Sequence, residues 1–230
     1  VDKKSETSSP ADDRLVAISV WDLPSRLFHG LLVILVAVSF TTGTIGGNAM
    51  QYHVWSGFAI LFLLVFRITW GFVGSRTSRF SNFVKGPAAV WRYANALVRG
   101  DSESYLGHNP LGGWSVLAML LALLLQAATG LFANDDIITT GPLYPWVSKA
   151  ASDWLTGVHR LNRYLVLVLA ATHVSAVLFY LLVKRENLIM PMITGIKHRV
   201  GGEPAPPAAP TWLAAVVAAI VGFLLYFLVY

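Results

Sequence analysis

The chain has 230 residues, 55% of them hydrophobic and only 13% charged, against about a quarter charged in an ordinary soluble domain. Water is therefore not its main solvent, and the net charge of +5 is too unevenly spread to suggest a nucleic-acid surface; no nucleic-acid partner is expected. There is no cysteine, which excludes disulfides, iron–sulfur clusters and covalent cofactor attachment through Cys-x-x-Cys-His.

Residues 1–20 read as a polar tail. The first long apolar run begins only after Arg26, with no cleavage site behind it, so it is expected to be a span and not a removable leader. Leu27 to Phe66 carries no charge, twice the roughly 20 residues that one span needs. The cluster Gly43, Gly46, Gly47 and Asn48 divides it into helices near 27–45 and 50–72. In the 73–110 loop, Val90, Trp91, Ala94, Leu97 and Val98 recur at helical spacing beside Arg92 and Arg99, as in a short helix lying on a membrane surface. A third span is expected over 111–133 and a fourth over 154–183. A flexible Gly/Pro/Ala spacer at 201–210 precedes a fifth over 211–230, with Trp212, Tyr226 and Tyr230 as interfacial anchors. The predicted fold is all-α and integral to the membrane: a four-helix transmembrane bundle within a 21–200 core, plus a fifth C-terminal transmembrane helix. No internal repeat is visible.

Orientation follows from Lys and Arg. Of the 17 such residues, all but Lys149, Arg160 and Arg163 fall within the N-terminal 26 residues, the 67–110 loop or the 184–210 loop. The positive-inside rule then puts the N-terminus in the cytoplasm. With five spans the C-terminus emerges on the other side, the periplasm if the membrane is a bacterial inner membrane.

Ionisable groups inside spans are costly and face the bundle interior for a functional reason. Four of the six histidines lie in or at the ends of expected helices: His29, His53, His159 and His173. His29 opens the first helix at the inner side, and His53 opens the second at the outer side. His159 is also outer. His173 follows it by two heptads, on nearly the same helix face and about 21 Å deeper. The result is two levels of two imidazoles, His29 with His173 inside and His53 with His159 outside. Each histidine taken singly also reads as an ordinary interfacial residue. Paired by depth, they match the axial ligation of haem iron from facing helices. Two non-covalent haem b groups are expected, their irons about 21 Å apart along the membrane normal.

Arg67 follows His53 by two heptads and shares its face at the inner level. It can snorkel to the interface or pair with an inner haem propionate. Arg160 and Arg163 face the same choice at the outer level. Gly57 and Gly130 read as ordinary helix-packing positions, although Gly57 lies one turn after His53, where a porphyrin needs room. Met119 and Met50 are poorer ligand candidates. His108 lies in a loop before the third helix, and His198 sits in a solvated Lys-His-Arg cluster.

Trp21-Asp22-Leu23-Pro24-Ser25-Arg26-Leu27-Phe28-His29 resembles the opening of the bacterial cytochrome b561 and nickel-hydrogenase b-type cytochrome family. Phe66-Arg67-Ile68-Thr69-Trp70-Gly71-Phe72-Val73-Gly74-Ser75, Gly107-His108-Asn109-Pro110-Leu111-Gly112 and Arg185-Glu186-Asn187-Leu188 resemble later motifs of that family, in order. The resemblance covers about 18–200. It implies a four-helix core with two b haems, ligands from the first, second and fourth helices, and two from the last; these positions match His29, His53, His159 and His173. Gly30 stands where the family often has Trp, and the fifth helix lies outside the pattern. Members of this family exchange electrons between the quinone pool and a redox partner such as a hydrogenase, a molybdoenzyme or a c-type cytochrome; some stand-alone members react with superoxide.

The expected function is electron transfer across the membrane between quinone and a c-type cytochrome or oxidoreductase subunit. The alternatives are a stand-alone quinone-linked superoxide oxidase and a histidine-lined transporter, the latter lacking the intramembrane Asp and Glu usual in cation paths. His108 and Asn109 could hydrogen-bond a quinone carbonyl or simply cap the third helix. Asp135 and Asp136 could steer a basic partner to the outer side or serve only their own loop.

Overall fold

The computed structural model describes residues 15–200 and 206–229. It begins with strand β1 (Leu15–Ser19) and helix α1 (Leu23–Ile45). Helix α1 starts four residues before the charge-free run because Asp22 caps it: a carboxylate oxygen accepts from the Ser25 N–H at 2.9 Å, with Pro24 in the first turn. Gly46 and Gly47, at φ 69° and 53°, break the helix and turn the chain into α2 (Met50–Val73).

After α2 come a single turn, α3 (Phe80–Phe83), and the amphipathic α4 (Pro87–Arg99). Helix α4 exposes Trp91 and Val98 seven residues apart while burying Tyr93, whose hydroxyl lies 2.6 Å from that of Tyr180. Helix α5 (Pro110–Gly130) is capped by Asn109, and α6 (Lys149–Leu182) by Ser148. The Ser148 cap starts α6 at Lys149, ahead of the expected 154, by adding an amphipathic turn that the apolar count ignored. A short α7 (Ile189–Thr194), strand β2 (Ile196–Val200) and α8 (Thr211–Val229) complete the chain.

Among the described residues, α1, α2, α5, α6 and α8 are long and apolar enough to cross a membrane, making this a multi-pass membrane protein. Helix α1 packs on α2, α5 on α6, and α2 on α5. Phe28, Ile60, Leu63, Leu64 and Leu120 form the buried centre. Helix α2 is the most buried of the spans because α8 also covers it: Ala214, Val217 and Val221 pack against Phe66 and Trp70. Small residues let the two backbones approach, and Gly222 lies beside the Phe62 ring. The part of the 201–210 spacer that is described is held in place, with Pro207 O accepting from Arg76 N at 3.2 Å and Ala209 N donating to Ser75 Oγ at 2.8 Å.

Strands β1 and β2 pair antiparallel, Leu15 opposite Val200 and Ser19 opposite Ile196. Residues 15–19 thus form an ordered edge of the core, although their polarity suggested a tail; residues 1–14 and 201–205 lie outside the described residues. Asp22 locks this end of the bundle. Beyond capping α1, it accepts from Trp70 Nε1 at 2.9 Å and Ser78 Oγ at 3.3 Å. Burial works to raise the pKa of its carboxyl, but hydrogen bonds from Ser25, Ser75 and Trp70 outweigh that and hold it below its ordinary 3.8. A depressed carboxyl stabilises the fold above its unfolded pKa and loses that contribution as pH falls through the native one. Asp22→Asn should therefore lower stability at pH 7 by about 1–2 kcal/mol, the gap between charged and neutral hydrogen bonding. Thermal unfolding in detergent should show that difference shrinking at acidic pH, where the wild-type carboxyl is itself neutral. An equal gap at both pH values would refute the charge-based account.

Candidate functional site

At the level expected to be outer, His53 of α2 and His159 of α6 face each other with ring centroids 5.9 Å apart and planes at 86°. His53 Nδ1 lies 2.8 Å from the Ser39 carbonyl oxygen, and His159 Nδ1 lies 2.9 Å from that of Gln126. A ring nitrogen facing a carbonyl carries the proton, so each Nε2 keeps its lone pair. Gln126 and Asn162 brace this arrangement: Gln126 Nε2 donates to His159 O, and Asn162 Nδ2 donates to both Ala122 O and Gln126 Oε1. A cavity of about 500 Å³ surrounds the pair, lined also by Gly43, Gly57, Gly130, Arg160 and Arg163. A Cβ on Gly43 would come within 2.6 Å of His53 Nδ1, and one on Gly130 within 3.1 Å of His159 Cε1. A Cβ on Gly57 would meet nothing within 4 Å, so that glycine borders open space and no neighbouring helix.

At the level expected to be inner, His29 of α1 and His173 of α6 lie with ring centroids 6.4 Å apart and planes at 55°. Arg67 is 5% exposed, its guanidinium over the rings of Phe80 at 5.3 Å and Phe83 at 5.9 Å. Its Nη1 is buried with no hydrogen-bond partner, which a headgroup-seeking snorkel would not leave. His108 lies in the same wall, edge-on to Trp21 at 4.8 Å and against Phe83 at 4.7 Å, and its Nδ1 is likewise buried and unpartnered. Burial first, then repulsion from Arg67, His173 and His29, pushes its pKa down to about 3, so it is neutral. Asn109 is engaged elsewhere, capping α5 through Oδ1 and donating Nδ2 to the Tyr180 hydroxyl at 2.9 Å. His198 lies on β2.

Asp135 and Asp136 both bond within their own end of the chain. One Asp135 oxygen accepts from the backbone N–H groups of Ile137, Ile138 and Thr139. Slight burial raises the pKa of that carboxyl, but these donors prevail and hold it below its ordinary range. Asp136 pairs with Lys149 at 2.6 Å.

A metal–nitrogen bond of about 2 Å on each side of an ion places two ring centroids about 6 Å apart, and both pairs have that spacing. Among the described residues no three His, Asp or Glu side chains converge as a metal site, so each pair supplies only two ligands. That donor set suits a metal carrying its own four equatorial ligands. The unpartnered Arg67 and His108 nitrogens suit a centre that also bears carboxylates. Haem b has both features, and the residues present fit it.

Helices that cross a membrane and bring histidines together in facing pairs define a b-type cytochrome architecture. The family model for prokaryotic cytochrome b561 matches residues 20–195, and the chain belongs to that family, whose members carry haem b and transfer electrons. It is similar to the probable Ni/Fe-hydrogenase 1 B-type cytochrome subunit of Escherichia coli K12, at 25% identity over 82% of this chain and 94% of that protein. The probable Ni/Fe-hydrogenase B-type cytochrome subunits of Azotobacter chroococcum, at 24% over 78% and 88%, and Rhodobacter capsulatus, at 23% over 81% and 82%, are also similar. No solved structure matches the chain. Helix α8 lies beyond the matched region.

Gly43, Gln126 and Asn162 were missed by the sequence reading. Gly43 reads there as a helix breaker, and only contact with His53 reveals it as a clearance position. Gln126 in the third span and Asn162, three residues after His159 on α6, were the visible hints, since an amide buried in a span needs a partner.

Proposed function

We propose that this protein carries electrons across a bacterial inner membrane through two haem b groups, linking the quinone pool to an oxidoreductase partner. The observation that carries this reading is the arrangement of two histidine pairs at opposite ends of the bundle, each spaced for one iron. His29 and His173 would hold the inner haem, with Arg67 neutralising a propionate; His53 and His159 would hold the outer one beside Arg160 and Arg163. Bound haem supplies reversible one-electron chemistry. The chain's part is to fix both imidazoles of each pair, to hold the outer tautomers through Ser39 and Gln126, and to exclude water with apolar helices.

The excess of Lys and Arg on one side supports a cytoplasmic N-terminus and a periplasmic C-terminus after α8. The hydrogenase cytochrome subunits among its relatives favour a hydrogenase-type enzyme as the partner at the outer side, with a periplasmic c-type cytochrome as the other electron-transfer candidate. Purified protein should hold two haems per chain, extractable by acid acetone, with both reduced by added quinol. A ratio of one or less in fully loaded material would overturn the two-level reading.

A further inference from the structure

Two buried side-chain nitrogens that face the Phe83 ring have no hydrogen-bond partner in the protein: Arg67 Nη1 and His108 Nδ1. They come from separate elements, α2 and the segment leading into α5, yet both side chains pack on the Phe83 ring. Trp21, which leads into the helix that carries His29, lies edge-on to His108 at 4.8 Å, which puts the imidazole at the same end of the bundle as the inner pair. Asp22, whose oxygens bond Ser25, Trp70 and Ser78, bonds neither nitrogen. A buried donor left unpaired costs about 1–3 kcal/mol, more if charged. Two of them in one wall are the imprint of an anionic group.

We propose that His108 is a positioning residue for the inner haem: its Nδ1–H and the Arg67 guanidinium together grip a haem carboxylate. This rests on the reading that His29 and His173 hold a haem. Trp21 and Phe83 fix the imidazole plane, so the donor is set before the ligand arrives and little rotamer freedom is lost on binding. The role differs from that of Arg67, which supplies charge. His108, held against Trp21 and Phe83, supplies direction, which decides how the macrocycle is turned within its pocket. Withdrawing charge from the carboxylate also favours the reduced iron.

The test is His108→Phe, which keeps the ring contacts and removes the donor, with His108→Gln restoring an amide donor. Redox titration should show the inner haem of His108→Phe shifted down by about tenfold in its ferrous-to-ferric ratio, about 59 mV for one electron. The outer haem should be unmoved, and His108→Gln should recover most of the shift. With haem dimethyl ester, whose carboxylates are blocked, wild type and His108→Phe should titrate alike. An unshifted inner haem in His108→Phe with both haems bound overturns the proposal, and so does a shift that persists undiminished with the ester. If His108→Phe does not accumulate, wild type decides: ester haem should leave the inner level faster than native haem, and equal loss refutes the grip. A His29→Ala variant that keeps both haems would sink the underlying reading. A His29→Ala variant that loses one, beside a silent His108→Phe, sinks this proposal alone.

Discussion

Replacing His29 or His173 with alanine should remove one haem and leave the other, and both variants should lose the same one. Replacing His53 or His159 should remove the second. The structure motivates this sorting because each pair joins α6 to a different helix, α1 at one end and α2 at the other, with ring centroids about one iron apart. The effect should be close to all-or-none, from two haems per chain to one, since a single imidazole from one side leaves an axial position open in an apolar bundle. Haem-to-protein ratios and low-temperature absorption bands of the four variants would check it. Loss of the same haem from His29→Ala and His159→Ala would refute pairing by level.

Gly43→Ala should be nearly as damaging, although glycine to alanine inside a helix normally stabilises by up to about 1 kcal/mol. The new Cβ would lie 2.6 Å from His53 Nδ1, too close to stand. The ring must swing, and its bond to Ser39 O breaks with the movement. A partner that orients a metal ligand is worth about 10–100-fold in affinity, so the outer haem should be lost selectively on dilution or mild detergent exposure. Gly30→Ala on the same helix, where a Cβ meets nothing within 4 Å, should retain both haems. Equal retention in the two variants would show that His53 has room to spare.

Much of this was legible in the chain, for reasons tied to particular residues. Charge-free runs located the spans because lipid penalises every ionisable group, and two heptads between His159 and His173 gave a shared helix face by arithmetic. The inner end was harder to read. Asp22 looked like one polar residue before a helix, yet it joins α1, α2 and the turn after α2, because its partners Trp70 and Ser78 are brought near only by folding. Strand β1 carried no signal of its own; its partner lies at Ile196–Val200, and pairing at that separation leaves no local period. His108 looked like a loop residue because loops are usually outside, whereas the segment from α4 folds back under Trp21 and Phe83. Helix α8 was readable as a span, but its seat on Phe66 and Trp70 was not.

The two-stranded sheet has a consequence for how the core is put together. Its strands stand at the beginning and end of the four-span unit, and they can meet only if both ends emerge on one side of the bilayer, which requires an even number of crossings. A span that fails to insert, or inserts a half-turn of topology out of step, strands β1 and β2 on opposite faces with a membrane between them. Pairing of Leu15–Ser19 with Ile196–Val200 is thus a built-in parity check on insertion. It also closes the core on itself: Val200 lies beside Leu15, so a short peptide could join these ends. A new start opened in another loop on the same side, such as that between α4 and α5, would preserve the direction of every span. A circular permutant cut there should insert, while one opened between α1 and α2 would begin on the wrong side of the membrane.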